Sequence, residues 1–316
     1  MSGLDKSRQG CGADGGGLAQ NCAPSDSENA ARECGFGAGS ARESSGSLPK
    51  RIGFPAGFLV DGPLRVDVLA AQFGKFAVVD KPADVLFDSY LGAPKRTSMM
   101  LAMREQSGKG EFARLGIESP YAVNQIDYEY SGASIMAANK DIATAMRNAM
   151  WSGFFTFKFL VLTRAYRKDS TRFDVELPVL MHEERPVWIV SHRFGKKAKT
   201  SFELVRSAGD YQLWQATANT VRPHQIRLHA AEAGLDVVGE WIYSKTPYIF
   251  LSKLKGEYKL AKDAQERALY PHLAVHLSGV EFDGASFGEP SIGKVSATVA
   301  LPKGFEVQLR KLEKLS

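Results

Sequence analysis

The chain has 316 residues, 44% of them hydrophobic and 24% charged, with 40 Lys and Arg against 35 Asp and Glu for a net charge of +5. That composition supports the core of one large domain or two modest ones and excludes a wholly disordered or collagen-like chain. The mean hydropathy of −0.20 and the lack of any uncharged apolar run of about 18 residues exclude a membrane-spanning helix, while the basic balance permits an anionic partner without demonstrating one.

Residues 1–51 are rich in Gly and Ser, and their acidic and basic residues cancel, so the whole +5 falls in residues 52–316. Such a stretch cannot bury enough apolar surface to offset its conformational entropy and is expected to be a disordered tail. It lacks the apolar segment of a secretory signal, and its acidic residues argue against a mitochondrial transit peptide, so a cytoplasmic location is expected. All three cysteines (Cys11, Cys22, Cys34) lie here without a CxxC pair. Thiolate catalysis and Cys-based metal centres are therefore excluded from residues 52–316, which read as one folded domain.

Along that domain, the β-branched run at residues 76–82 predicts a strand stopped by Pro82. Helical character covers residues 96–106 and 141–150, with Asp141 as the N-cap and Ile142, Ala145, Met146 and Ala149 forming the apolar face. An apolar strand is expected over 133–138 and a buried one over 154–162. Residues 200–205 and 211–218 read as two strands around a Gly209-Asp210 turn. A helix over 227–233 should close at Gly234. Strands without a βαβ rhythm favour a mixed, largely antiparallel sheet.

Two segments can carry chemistry. In Asn124-Gln125-Ile126-Asp127-Tyr128-Glu129-Tyr130-Ser131-Gly132, an ionised Asp127 could serve as nucleophile or general base, although a turn aspartate bonding its own backbone also explains it. In Val221-Arg222-Pro223-His224-Gln225-Ile226-Arg227-Leu228-His229, the donors Arg222, His224, Gln225 and Arg227 gather near a helix start, where free amides attract phosphate or carboxylate. A solvated basic face accounts for the same residues. No P-loop, GxGxxG, GxSxG or HExxH pattern occurs, and the six histidines lack metal-ligand spacing, so neither a nucleotide cofactor nor a metal is expected.

Together the two segments resemble the RluA-type pseudouridine synthases, whose motifs are H-R-L-D-x-x-T-S-G and G-R-T-H-Q-[IL]-R-[VL]-H. Val237-Val238-Gly239-Glu240-Trp241-Ile242-Tyr243 is similar to the family's V-V-G-D-x-x-Y. Val78-Val79-Asp80-Lys81-Pro82-Ala83 resembles V-V-N-K-P-[AS]-G, and Leu273-Ala274-Val275-His276-Leu277 resembles L-x-L-H-A. The resemblance implies an α+β fold, a mostly antiparallel bisected sheet with flanking helices. It also implies cofactor-free isomerisation of uridine to pseudouridine in structured RNA, ribosomal or transfer. A monomer is expected.

Asp127 would be the nucleophile or base, with Arg227 orienting it and holding its pKa down. Asn124, Gln125, Tyr130, Arg222, His224 and Gln225 would contact RNA. Lys196, Lys197 and Lys199 could add phosphate contacts, although a solvated loop explains them equally well. The chain departs from the pattern in three places. Asn124-Gln125 replaces His-Arg, Tyr130 replaces Thr, and the active-site tyrosine falls on Phe159, or on Phe157 with a shift by two; either phenylalanine can stack on uracil but cannot relay a proton. Tyr128, Tyr130 or Tyr166 could supply the hydroxyl. Asp127 and Arg227 favour an active synthase, whereas Gln125 and Phe159 favour a catalytically impaired, RNA-binding relative such as a ribosome-associated factor.

Overall fold

The β-branched runs pair into an 11-stranded sheet in the computed structural model, which describes residues 47–90, 93–106, 109–166, 169–255, 258 and 265–315. The strands are β1 (Arg51–Phe54), β2 (Leu64–Gln72), β3 (Phe76–Lys81), β4 (Tyr121–Ala122), β5 (Ser131–Ala137), β6 (Thr156–Arg164), β7 (Arg172–Glu176), β8 (Val179–Met181), β9 (Trp188–Val190), β10 (Lys199–Ala208), β11 (Tyr211–Ala218), β12 (Val275–Asp283) and β13 (Lys294–Thr298). The helices are α1 (Met99–Glu105), α2 (Gly110–Leu115), α3 (Lys140–Trp151), α4 (Gln225–Ala233), α5 (Leu251–Leu254) and α6 (Lys303–Leu315). The three cysteines and most of the expected tail lie outside the described residues. Residues 49–51 already belong to the fold. Pro49 is buried, the Lys50 carbonyl accepts from the Val68 amide at 2.8 Å, and Arg51 opens β1, so the fold begins slightly before the expected boundary.

The main path runs β1-β2-β3-β5-β12-β6-β11-β10-β7, with β4 added on β5, β13 on β12, and β8-β9 as a separate hairpin. Its pairings are antiparallel except β5–β12, which run parallel over His276–Ser131 and Leu277–Gly132. This short joint bisects the sheet. Gly132 sits there at φ +118, and a Cβ would collide with the Leu277 carbonyl oxygen, so the two halves approach this closely only because the residue is glycine. Ser131 Oγ and His276 Nδ1 tie the same joint at 2.8 Å.

Three local expectations shift. Helix α3 is capped by Asn139, whose Oδ1 accepts from the Ile142 amide at 2.9 Å, and Asp141 lies inside the first turn. Its buried face is Ile142, Ala143, Met146, Ala149 and Met150, with Ala145 only half-buried. Phe154 precedes β6 and is 59% exposed. Helix α4 begins at Gln225 and, as expected, ends on Gly234 in the left-handed region. One core cluster joins α3 to β5, β6, β11 and β12 and so spans the joint, and a second packs α1 and α2 against β1–β3.

Candidate active site

Asp127 lies in the loop that enters β5, and the loop is pinned from three sides. The buried Asn124 amide bridges to β5, accepting from the Ile135 N–H at 2.7 Å and donating to the Ala133 carbonyl at 3.3 Å. The fully buried Lys81 ammonium, at the end of β3, donates to the carbonyls of Pro82, Val85 and Tyr128 at 3.0, 2.6 and 3.1 Å. Burial lowers the Lys81 pKa to about 7, against the pull of nearby carboxylates. A tight turn from the Tyr130 amide to the Asp127 carbonyl completes the loop.

The Asp127 side chain is 2% exposed, and both of its oxygens accept from the backbone N–H of His224, at 3.0 and 3.1 Å. His224 is the N-cap of α4 and holds φ 57, a conformation uncommon for a residue with a Cβ. The helix N-terminus therefore faces the carboxylate with an amide and the positive end of its dipole. The His224 ring meets the Tyr243 hydroxyl at 2.8 Å through Nδ1, and Tyr243 in turn accepts from the Trp188 amide at 3.1 Å.

Arg227 stands one turn further along α4, and its hydrogen bonds run elsewhere. Nε and Nη2 grip the buried Glu240, the latter at 3.0 Å, and Nη1 reaches Glu129 Oε1 at 3.0 Å. Glu240 also accepts from the Ile242 and Tyr243 amides. The expectation that Arg227 orients Asp127 by direct contact is corrected, and the lowering it was expected to exert on the Asp127 pKa is present but outweighed by burial. The guanidinium is committed to two other carboxylates, and Asp127 is pushed up by burial, which the charges of His224 and Arg227 only partly offset.

Tyr130 is 1% exposed and its hydroxyl has no hydrogen-bond partner among the described residues. Its ring meets Phe159 of β6 edge-on, centroids 6.0 Å apart. Phe159 is fully buried, so it reaches the site as packing behind Tyr130. Burial first, then the field of Asp127, raises the Tyr130 phenol far above its usual value and keeps it protonated. The other two candidate hydroxyls are placed differently. Tyr166 donates to the Ala233 carbonyl at 3.2 Å within an aromatic group with Phe173 and Trp214, and the Tyr128 ring carries Arg96 at 5.4 Å.

The expected RNA contacts divide in two. Asn124, Tyr130, His224 and Gln225 are buried, and Gln225 is spent on the Arg222 amide, the Lys199 carbonyl and Thr200. These side chains build the site from inside. Gln125 and Arg222 remain partly accessible, and Gln125 donates to the Ser89 carbonyl at 3.2 Å. Lys199 is held by Asp174 and Glu176 at 2.8 and 2.6 Å, whereas Lys196 and Lys197 are exposed. Among the described residues, no group of three or more His, Cys, Asp or Glu is arranged to hold a metal ion, and no helix is long and apolar enough to cross a membrane. Glu129, Glu240, Tyr243 and Lys81 were not singled out from the sequence, although all four stand inside the quoted segments.

Residues 75–232, half of the chain, match the RNA pseudouridylate synthase family. A Haemophilus ducreyi protein named ribosomal large subunit pseudouridine synthase D is 21% identical over 54% of this chain and 50% of its own length. A protein of Aquifex aeolicus named as an RNA pseudouridine synthase is 29% identical over 57% of this chain and 58% of its own. The chain thus spans about half the length of these relatives. A Buchnera aphidicola protein named synthase D is 21% identical over 82% of this chain and 78% of its own. The human RNA pseudouridylate synthase domain-containing protein 4 shares the fold, with a TM-score of 0.55 over 78% of this chain and 92% of its own at 16% identity.

Proposed function

The chain belongs to the RNA pseudouridylate synthase family, and from that premise we propose that it isomerises a uridine of structured ribosomal or transfer RNA to pseudouridine, with Asp127 as the reacting carboxylate. The observation that carries this reading is the buried Asp127 held by both oxygens on the His224 amide at the joint of the bisected sheet. The relatives named for the large ribosomal subunit support a ribosomal target. We take the protein to act as a monomer in the cytoplasm.

In this reading the target uridine leaves its stack, because the ring cannot turn while paired. Asp127 acts on the ribose as nucleophile or base, the bond between C1′ and N1 breaks, and the uracil rotates. C1′ then bonds to C5, the C5 proton leaves, and N1 takes up a proton, so the product is an isomer and no cofactor is consumed. The Tyr130 hydroxyl, buried, protonated and unpartnered among the described residues, is the protein group best suited to give N1 its proton and be reprotonated from C5, and Phe159 holds its ring. Arg227, locked to Glu240 and Glu129, supplies fixed positive charge beside the carboxylate. Because Asp127 is 2% exposed, uridine binding requires a local opening. The Ser89–Tyr90 segment, which meets the Asp127 loop through Gln125 and the Tyr128 amide, is the element we expect to move.

Pseudouridine mapping of ribosomal and transfer RNA, with and without the gene, tests the proposal. Loss of one site on deletion, restored by the wild type but not by Asp127→Ala, is the expected result. An unchanged map together with retained, salt-sensitive RNA binding overturns it in favour of the impaired RNA-binding reading.

A further inference from the structure

Beside the N-terminus of α4 opens a groove of about 700 Å³, whose lining includes Trp151, His192, Lys197, Thr220 and Arg222. Trp151 ends α3 and is 46% exposed, and the Arg222 guanidinium lies 4.8 Å from its ring centroid. Arg222 Nε donates to the Lys197 carbonyl at 3.1 Å, which fixes the guanidinium plane, and among the described residues its terminal nitrogens have no hydrogen-bond partner. Lys199 and Glu176 also line the groove, where Lys199 is shared between Glu176 and Asp174 at 2.6 and 2.8 Å and is not free for a ligand. Lys197 and Arg222 are left as uncompensated cations.

The wall is already ordered. Ser191 and Lys196 donate to the carbonyls of Pro178 and Val179, both at 3.0 Å, and Gly195 packs so tightly that a Cβ would collide with Ser191 and Pro178. An exposed indole under a guanidinium, with a free lysine beside it, is the combination that stacks an unpaired base and holds its phosphate. The groove also adjoins the site in the chain, since Arg222 stands two residues before the His224 amide that holds Asp127.

We propose that this groove binds an unpaired segment of the RNA substrate flanking the target uridine, with one base extending the Trp151–Arg222 stack and the adjoining phosphate on Lys197 and Arg222. The proposal rests on the RNA-modifying reading above. A protein surface is the rival occupant, and the cationic lining disfavours it.

The full chain is titrated with a fluorescein-labelled RNA hairpin carrying an unpaired uridine-rich loop, and with an RNA duplex of equal length, across a salt series. Trp151→Ala is expected to weaken hairpin binding about tenfold and leave duplex binding unchanged, while Trp151→Phe, which keeps an aromatic face, restores most of it. Lys197→Ala is expected to reduce the logarithmic salt slope by about 0.7. Thermal melts of each variant report folding. Hairpin binding by Trp151→Ala equal to wild type overturns the proposal and leaves the groove to a protein partner. A folded Trp151→Phe as weak as Trp151→Ala overturns the stacking. Asp127→Asn separates the two readings: no Asp127-dependent pseudouridine with the Trp151 effect intact defeats the enzymatic reading alone, and binding of neither RNA defeats both.

Discussion

The backbone N–H of His224 bridges both carboxylate oxygens of Asp127, at 3.0 and 3.1 Å, and it does so from a left-handed conformation at φ 57. What matters at position 224 is then the backbone geometry before the imidazole. His224→Gly keeps the N–H and adopts this φ freely, and Asn tolerates it. His224→Val does not, at a cost of about 1–3 kcal/mol and with the amide misdirected. Turnover on an RNA transcript and thermal melts should therefore rank Gly and Asn well above Val. Equal loss in all three variants would show that the imidazole, through its bond to Tyr243 or in the reaction itself, outweighs the backbone.

Burial raises the Asp127 pKa, so the carboxylate takes up a proton at a higher pH than an ordinary aspartate, whose usual value is 3.8. The acid limb of the kcat/KM profile should lie above that value, with activity lost as pH falls through it. The stability effect has the opposite sense. With its folded pKa above its unfolded one, Asp127 destabilises progressively as pH rises from the unfolded value through the folded one, and fully at higher pH. Asp127→Asn should thus abolish turnover and raise the Tm at neutral pH, as calorimetry across pH can check.

Glu240 is fully buried and depends on Arg227 for its charge partner, with the Ile242 and Tyr243 amides helping. Arg227→Met strands that carboxylate and should cost about 3–5 kcal/mol in denaturant unfolding. Adding Glu240→Leu should return most of the lost stability but not the turnover, since Asp127 would still lack the nearby positive charge. A double variant no more stable than Arg227→Met would show that the pair is not energetically coupled.

The parts of this architecture carried by local chemistry were readable from the chain. The strand ending at Pro82, the hairpin around Gly209-Asp210 and the Gly234 stop each depend on a few neighbouring residues, and β3, β10–β11 and the end of α4 follow them. The shared location of Asp127 and the α4 N-terminus was legible through motif order alone. The Arg227 partners were not, because Glu129 lies 98 residues away, Glu240 lies beyond the end of α4, and nothing local distinguishes them from solvated acids. The inward roles of Asn124 and Gln225 were hidden for a related reason. A polar side chain that satisfies buried backbone groups looks the same in sequence as one that binds RNA.

Tyr130 offers the sharpest separation of structure from chemistry. Its hydroxyl is buried without a partner among the described residues, a state that ordinarily costs stability. Tyr130→Phe removes that atom and keeps the ring against Phe159, so the Tm should hold or rise, by up to about 1 kcal/mol in unfolding free energy. If the hydroxyl carries a proton during turnover, kcat should fall by about 100-fold or more with KM little changed. A hydroxyl that serves only the fold predicts the reverse, a lower Tm with turnover intact. Single-turnover kinetics and melts on the same variant distinguish the two outcomes.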